Sequence, residues 1–451
     1  MTAPRETVGA FRQLPFMGVI RVNVEAMRHG FRMGDPAWAN LGQGQPEVGE
    51  LRGAPPRLAA FEVEPADHAY GAVEGIPELR EAVADHYNRL FRRGKAPYTA
   101  EHVAIAPGGR AALTRAGAAL DRVRLGYFTP DYTAYEDLLT TFHRLDPVHI
   151  ELRAAEAFRL APDALADRVE RDRLGALLIS NPCNPTGVVV AGDELRAWVE
   201  LARRRGVTLL MDEFYSHYVY EGAGTPAPGP VSAAEFVDDP DRDPVVIFDG
   251  LTKCFRYPGW RVGWVVGPRA VIRALTAAGS FLDGGPSRPI QRAAVEVLRP
   301  NRADQETDAV RAEFAQKQRL TLSRLSALGV RFPVLHAAPT PSPRGADRAR
   351  SAPDPGPAEP VRQHRTGTFY VWGDVSGLPP PLNTGLGFMR EAFRHRVLTV
   401  PGEYFDVNPN RARPAPSPLE GFVRFSFGPP RATLEAGLER LGQMVAEMKE
   451  Q

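Results

Sequence analysis

The chain has 451 residues, 43% of them hydrophobic, so it can bury a large core and exceeds what one compact domain needs. Its 55 basic and 54 acidic residues leave a formal net charge of +1, which offers no basic field for nucleic acid and no polybasic anchor for a membrane. Two cysteines, Cys183 and Cys254, are too few for a disulfide scaffold, and no Cys/His spacing suits zinc, so no metal site is expected.

The N-terminus lacks a charged region followed by an unbroken apolar stretch, and no run of about 18 apolar residues occurs. A cytoplasmic protein is expected, with small molecules or a second copy of itself as partners. Ile76, Leu79, Val83, Tyr87, Leu90 and Phe91 recur at helical spacing and predict an amphipathic helix over residues 77–92, with Pro77 in its first turn. Residues 103–106, 125–128, 175–180, 207–212, 245–248 and 263–267 read as buried strands, and segments between them, such as 193–205, are long enough for crossover helices. Such alternation predicts an α/β domain with a mostly parallel sheet.

Residues 304–328 predict a long helix leading out of that domain. Residues 337–365 are rich in Pro, Arg, Ala and Ser and nearly free of large apolar side chains, the composition of a flexible insertion. Beyond it, strands are predicted at 368–372, 397–401 and 423–427 and helices at 388–396 and 432–449, a smaller α+β domain. The expected division is 1–60 as an N-terminal arm and part of the small domain, 61–325 as the large domain, and 326–451 as the C-terminal small domain.

Lysine is scarce: Lys95, Lys253, Lys317 and Lys449 are all there are. Three sit in charged helical surroundings or near the terminus and read as solvated surface side chains. Lys253 instead follows the apolar run VVIFDG and opens TKCFRYPGWRVGW, at the C-terminal end of a predicted parallel strand, where open α/β sheets place their ligands. A lysine amine attacks carbonyls once desolvation or neighbouring cations lower its pKa, a bias that Arg256 and Arg261 are placed to supply.

From GQGQP at 42–46 to RFSFG at 424–428 the chain carries, in order, GGRAAL, PDYTAY, NPCNPTG, MDEFY and TKCFRYPGWRVG. This series resembles the class I/II aminotransferases of fold type I, the aspartate aminotransferase superfamily, which depend on pyridoxal 5′-phosphate (PLP). The resemblance implies an α/β PLP-dependent transferase fold of type I, a large PLP-binding domain with a mostly parallel central sheet plus a smaller α+β domain. It also implies that Lys253 holds PLP covalently and moves the substrate's α-proton. By the same resemblance Asp212 pairs with the protonated pyridine nitrogen, and Asn184 and Tyr215 bind the phenolic oxygen. Tyr132 stacks on the ring, and Thr252 keeps a hydroxyl beside the lysine.

A phosphate calls for backbone N–H groups at a helix start and a cation. The resemblance assigns Gly108, Gly109 and Arg110 to that loop and Arg261 to the cation. Arg424 matches the arginine that grips the substrate carboxylate in a bidentate pair, and Gly44 the backbone position that assists it. Tyr70 resembles a tyrosine that reaches the phosphate of the other subunit, which implies a homodimer with shared active sites. Two positions depart from the pattern: Gly250 stands where a serine is usual, and Arg110 where a small or neutral residue is commoner, so Arg110 is expected to serve the phosphate or an anionic substrate group.

The expected activity is that of an α-amino acid aminotransferase with a keto-acid acceptor. The scaffold also supports γ-elimination or γ-replacement on a substrate such as S-adenosylmethionine, as in 1-aminocyclopropane-1-carboxylate synthases, and amino-acid oxidation. A PLP-binding transcriptional regulator needs a DNA-binding module ahead of this region, and the resemblance already begins near Leu41. Residues 16–21, 43–47 and 403–408 are expected to select the substrate.

Overall fold

Seven strands form one sheet: β1 (Val103–Ala106), β2 (Val123–Thr129), β3 (Leu145–Glu151), β4 (Ala176–Ser180), β5 (Thr208–Asp212), β6 (Val245–Gly250) and β7 (Gly263–Val266). Their order is β1-β7-β6-β5-β4-β2-β3; β7 runs antiparallel to both neighbours and the other ladders are parallel. The structure is a computed structural model that describes residues 10–11, 14, 16–221, 225–227, 229–335 and 365–450. The expected insertion at 337–365 lies outside the described residues apart from Arg365.

Strands β1, β4, β6 and β7 are buried along their whole length, which is why they read as unbroken apolar runs rather than alternation. The edge strand β3 escaped the sequence reading. Its LDPVHIE run buries only Leu145 and Ile150, and an edge tolerates Pro147 because one side of the strand needs no ladder partner. The carboxyl ends of β2, β4, β5 and β6 open on the same side, so the loops after them converge there.

Six helices matter for the site: α1 (Gly18–Met27), α2 (Pro77–Phe91), α3 (Gly109–Ala119), α4 (Asp193–Arg205), α5 (Arg269–Leu282) and α6 (Pro300–Leu328). In α4, Asp193 and Glu194 occupy the first turn and Arg203, Arg204 and Arg205 the last, each sign complementing the helix dipole. Helix α6 starts ahead of the predicted residue 304 because Pro300 takes the first turn, where its missing N–H costs nothing.

A second, antiparallel sheet has the order β8 (Tyr370–Asp374), β10 (Phe422–Ser426), β9 (Val400–Pro401), with α7 (Gly385–Arg394) and α8 (Arg431–Glu450) beside it. Strand β8 begins later than predicted. Thr368 has φ +68° and its Oγ1 accepts from Tyr370 N at 3.1 Å, a local turn that competes with the ladder. The strand predicted at 397–401 is split: Val397–Leu398 pairs with Ala39–Asn40, whereas β9 pairs with β10. Helix α1 buries Val22 and Ala26 in a cluster with Trp372, Phe405 and Phe422, which seats it on this sheet. No helix among the described residues is long and apolar enough to cross a membrane.

Lys317 corrects an expectation. Its side chain is fully buried in α6, where Nζ donates to Glu47 Oε1 and, at 2.6 Å, to the Pro429 carbonyl. Glu47 N in turn donates to the Gly428 carbonyl at 2.7 Å, so this pair ties α6 to the 42–47 loop. Replacing Lys317 by Met leaves the nearly buried Glu47 carboxylate without its cation and should cost about 3 kcal/mol. Urea denaturation of the variant checks this; a midpoint equal to that of the parent would show the pair to be dispensable.

Candidate active site

At the carboxyl ends of the parallel strands lies a cavity of about 550 Å³. Of the residues expected in the site, Gly44, Gly109, Arg110, Tyr132, Asn184, Asp212, Tyr215, Thr252, Lys253, Arg261 and Arg424 line it. Gly108 lies just beneath, under the Arg261 guanidinium, while Tyr70 is fully exposed and away from it.

Lys253 comes from the turn after β6 and is partly buried, with Nζ donating to the Gly44 carbonyl. Burial, followed by the charges of Arg424, Arg110 and Arg261, lowers its pKa to about 7, with Asp212 pulling the other way. Arg256 is not among those cations. It is fully buried and turned away, with Nε donating to Glu306 Oε1 at 2.6 Å and Nη1 to the Gly49 carbonyl at 2.8 Å.

Asp212 ends β5. Burial raises its carboxyl to about 6 against the hydrogen bond that it accepts from Tyr135 OH at 2.7 Å. Tyr135 was not expected in the site. It stands one helical step after Tyr132 in PDYTAY, and the two rings meet edge to face at 5.5 Å. Tyr132 itself accepts from Arg110 Nε at 3.0 Å.

The start of α3 forms the other end of the cavity. Gly108, with φ +95°, precedes the helix, and a β-carbon there would overlap the Arg261 guanidinium, so only glycine lets that cation lie against the helix start. Gly250 has a comparable constraint: a β-carbon would come within 2.5 Å of the Val262 carbonyl and crowd Gly263. The departure from serine at this position therefore has a steric cause. Thr252 Oγ1, on the cavity wall, is buried and has no hydrogen-bond partner.

Arg424, from β10, is 1% exposed and points into the cavity. Its Nη1 donates to Asn184 Oδ1 at 2.9 Å and its Nη2 to the Gly42 carbonyl at 2.8 Å, while Nε has no partner. Its guanidinium lies 3.9 Å from the centre of the Tyr370 ring, and the hydroxyls of Tyr370 and Tyr215 are 2.9 Å apart. Tyr370 also escaped the sequence reading. Its only signal there was an aromatic residue in a predicted strand.

Met17, Val19 and Ile20 at the start of α1, Gln43 and Gln45, and Phe405 complete the wall, so each of the three segments expected to select the substrate contributes. The residues fit PLP. Orphaned polar atoms on Thr252 and Arg424, a cation seated over a glycine at a helix start, and a buried carboxylate held by neutral donors match a phosphate, a carboxylate and a protonated heterocycle.

Comparison with known proteins agrees with this geometry. The family described as aminotransferase class I and II matches residues 36–341. A probable aspartate/prephenate aminotransferase of Thermus aquaticus is 29% identical over 383 residues, 83% of each chain. Among solved structures, an aminotransferase from Mycobacterium tuberculosis superposes with a TM-score of 0.73 at 26% identity, covering 98% of this chain and 100% of that one. The aspartate aminotransferase of Thermus thermophilus with maleate gives 0.71 at 25% identity, over 95% and 97%. The relatives are aminotransferases, and the γ-replacement and oxidase alternatives gain no support from them. The chain belongs to the class I and II aminotransferases, PLP-dependent transferases of fold type I that exchange an amino group between an amino acid and a keto acid.

Proposed function

We propose that transamination takes place in this cavity with PLP held on Lys253. The observation that carries the reading is the convergence of Lys253, Asp212 and Arg424, from three separate segments, on one space. When bound, PLP supplies an electron sink for the pair left at the substrate Cα. Asp212 holds the proton on the ring nitrogen, Tyr132 stacks on the ring, and Asn184 and Tyr215 face its phenolic oxygen. The N–H groups after Gly108 and Gly109, with Arg261, Thr252 and Arg110, hold the phosphate. Arg110 stands at the rim, where it also meets an anionic substrate side chain. Arg424, beside Gly44, fixes the substrate carboxylate and so turns the Cα–H bond toward Lys253 Nζ, which takes the α-proton and later gives it up.

Residues 61–325 are read as the PLP-binding large domain and 326–451, with part of 1–60, as the small one. Supporting this, the central sheet falls wholly within the first range, and Ala39–Asn40 pairs with Val397–Leu398. On this reading Lys253 and Arg424 come from different domains. A homodimer with shared sites belongs to the same proposal, supported by the complete exposure of Tyr70 and by the exposed apolar side chains of Phe61, Val63, Phe281 and Leu282. A cytoplasmic location is supported by two free thiols, Cys183 and Cys254.

Three measurements test this. Attack on an aldehyde requires a neutral amine, so cofactor uptake by the apo-protein should speed up as pH rises through about 7 and level off above it. Stopped-flow absorbance reads this rate, and a midpoint near that of an ordinary lysine would contradict the assignment. The loaded protein mixed with a single amino acid should convert to the pyridoxamine form and release a keto acid. Lys253→Ala should slow this by about 1000-fold or more, and persistence of the starting spectrum with every amino acid tried would refute transamination. Finally, Tyr70→Ala and Lys253→Ala subunits, each inactive alone, should regain activity when dissociated and reassociated together. No recovery would argue against shared sites.

A further inference from the structure

Tyr370 opens β8 opposite Ser426 of β10, and Arg424 lies two residues back along β10. Side chains two apart share a face, so Tyr370 and Arg424 are diagonal neighbours, a relation that long and aromatic side chains can bridge. The structure uses it fully: the guanidinium lies 3.9 Å from the ring centre, while the Tyr370 hydroxyl reaches 2.9 Å from that of Tyr215, in the loop after β5. Tyr370 is 2% exposed, so neither contact is diluted by solvent.

We propose that Tyr370 is a positioning residue that orients the Tyr215 hydroxyl toward the cofactor's phenolic oxygen and provides the shelf on which the substrate-binding Arg424 rests. The inference rests on the roles proposed above for Tyr215 and Arg424. A hydroxyl carries one proton and two lone pairs. If Tyr215 gave its proton to Tyr370, none would remain for the phenolic oxygen. Tyr370 must therefore donate and Tyr215 accept, which leaves the Tyr215 proton free to point into the cavity and strengthens its donation there. Burial pushes the Tyr370 hydroxyl's pKa up, so it keeps a proton to give.

The sign of the effect follows. Hydrogen bonds to the phenolic oxygen draw off its negative charge, and that charge favours the proton on the adjacent Lys253–cofactor linkage. Removing the Tyr370 hydroxyl weakens donation by Tyr215, leaves more charge on the oxygen and raises the pH at which the linkage loses its proton.

The test is a pH titration of the cofactor's visible absorbance in the loaded protein. Tyr370→Phe keeps the ring under Arg424, so the midpoint should rise by about 0.5 pH unit while KM for the amino acid stays within about twofold. Tyr370→Leu also removes the shelf and should raise KM about fivefold or more. An unmoved or lowered midpoint in Tyr370→Phe would overturn the proposal, as would an unchanged KM in Tyr370→Leu. Absence of any pH-dependent cofactor band in the parent protein would instead refute the site assignment itself, a separate failure.

Discussion

The arrangement depends on one buried cation that no carboxylate answers. Arg424 sits in register between Trp372 and Val400, held by the Asn184 side-chain oxygen, the Gly42 carbonyl and the face of Tyr370. Neutral acceptors recover only part of what a guanidinium loses on leaving water. What makes the position tolerable is the cavity, which keeps one side of the group open to an anion. The three contacts reach three separate segments of chain, so the small sheet, the NPCNPTG loop and the 42–47 loop are brought to one point by the side chain proposed to hold the substrate.

Three other buried cations are treated differently. Arg256 pairs with Glu306, Lys317 with Glu47 and Arg115 with Asp283, and each pair fixes backbone. Among the described residues, Arg110, Arg261 and Arg424 form no ion pair, and these are the charges that bear on Lys253. Burial, followed by their combined field, brings the lysine to about 7, while burial lifts Asp212 to about 6. An acid and a base whose ordinary pKa values lie far apart are thereby brought close to neutrality on one cavity wall.

Much of this was legible in the sequence because the parallel strands are uniformly apolar and their ends carry the chemistry. Asp212, Asn184, Lys253 and Arg424 could each be placed at a strand or a turn before any coordinates, and all four meet. What escaped reading depended on partners distant in the chain. Lys317 looks like a surface residue because its helix is charged; only the approach of Glu47 and Pro429 makes it a buried one. Tyr135 and Tyr370 look like core aromatics until Asp212 and Tyr215 appear at their hydroxyls. Arg256 and Arg261 are close in sequence and equally basic, yet Arg256 is buried against Glu306 while Arg261 lines the cavity. Apolar periodicity also failed at β3, since an edge strand with one solvated margin need not show it.

The proposed mechanism asks two opposed properties of Lys253. Before the substrate arrives, a low pKa keeps the amine free to condense with an aldehyde; afterwards, a high one makes it a better base for the α-proton. On the same proposal, Arg424 reconciles the two demands in time. As a substrate carboxylate settles on the guanidinium, the largest of the neighbouring positive charges is compensated and the amine becomes more basic. The coupling is reciprocal, so a protonated Lys253 also favours the carboxylate on Arg424. On the proposed mechanism, base strength is therefore highest while substrate is bound and falls as product departs. A direct Lys253–carboxylate pair from the protein itself would hold the amine in its charged state and remove this dependence.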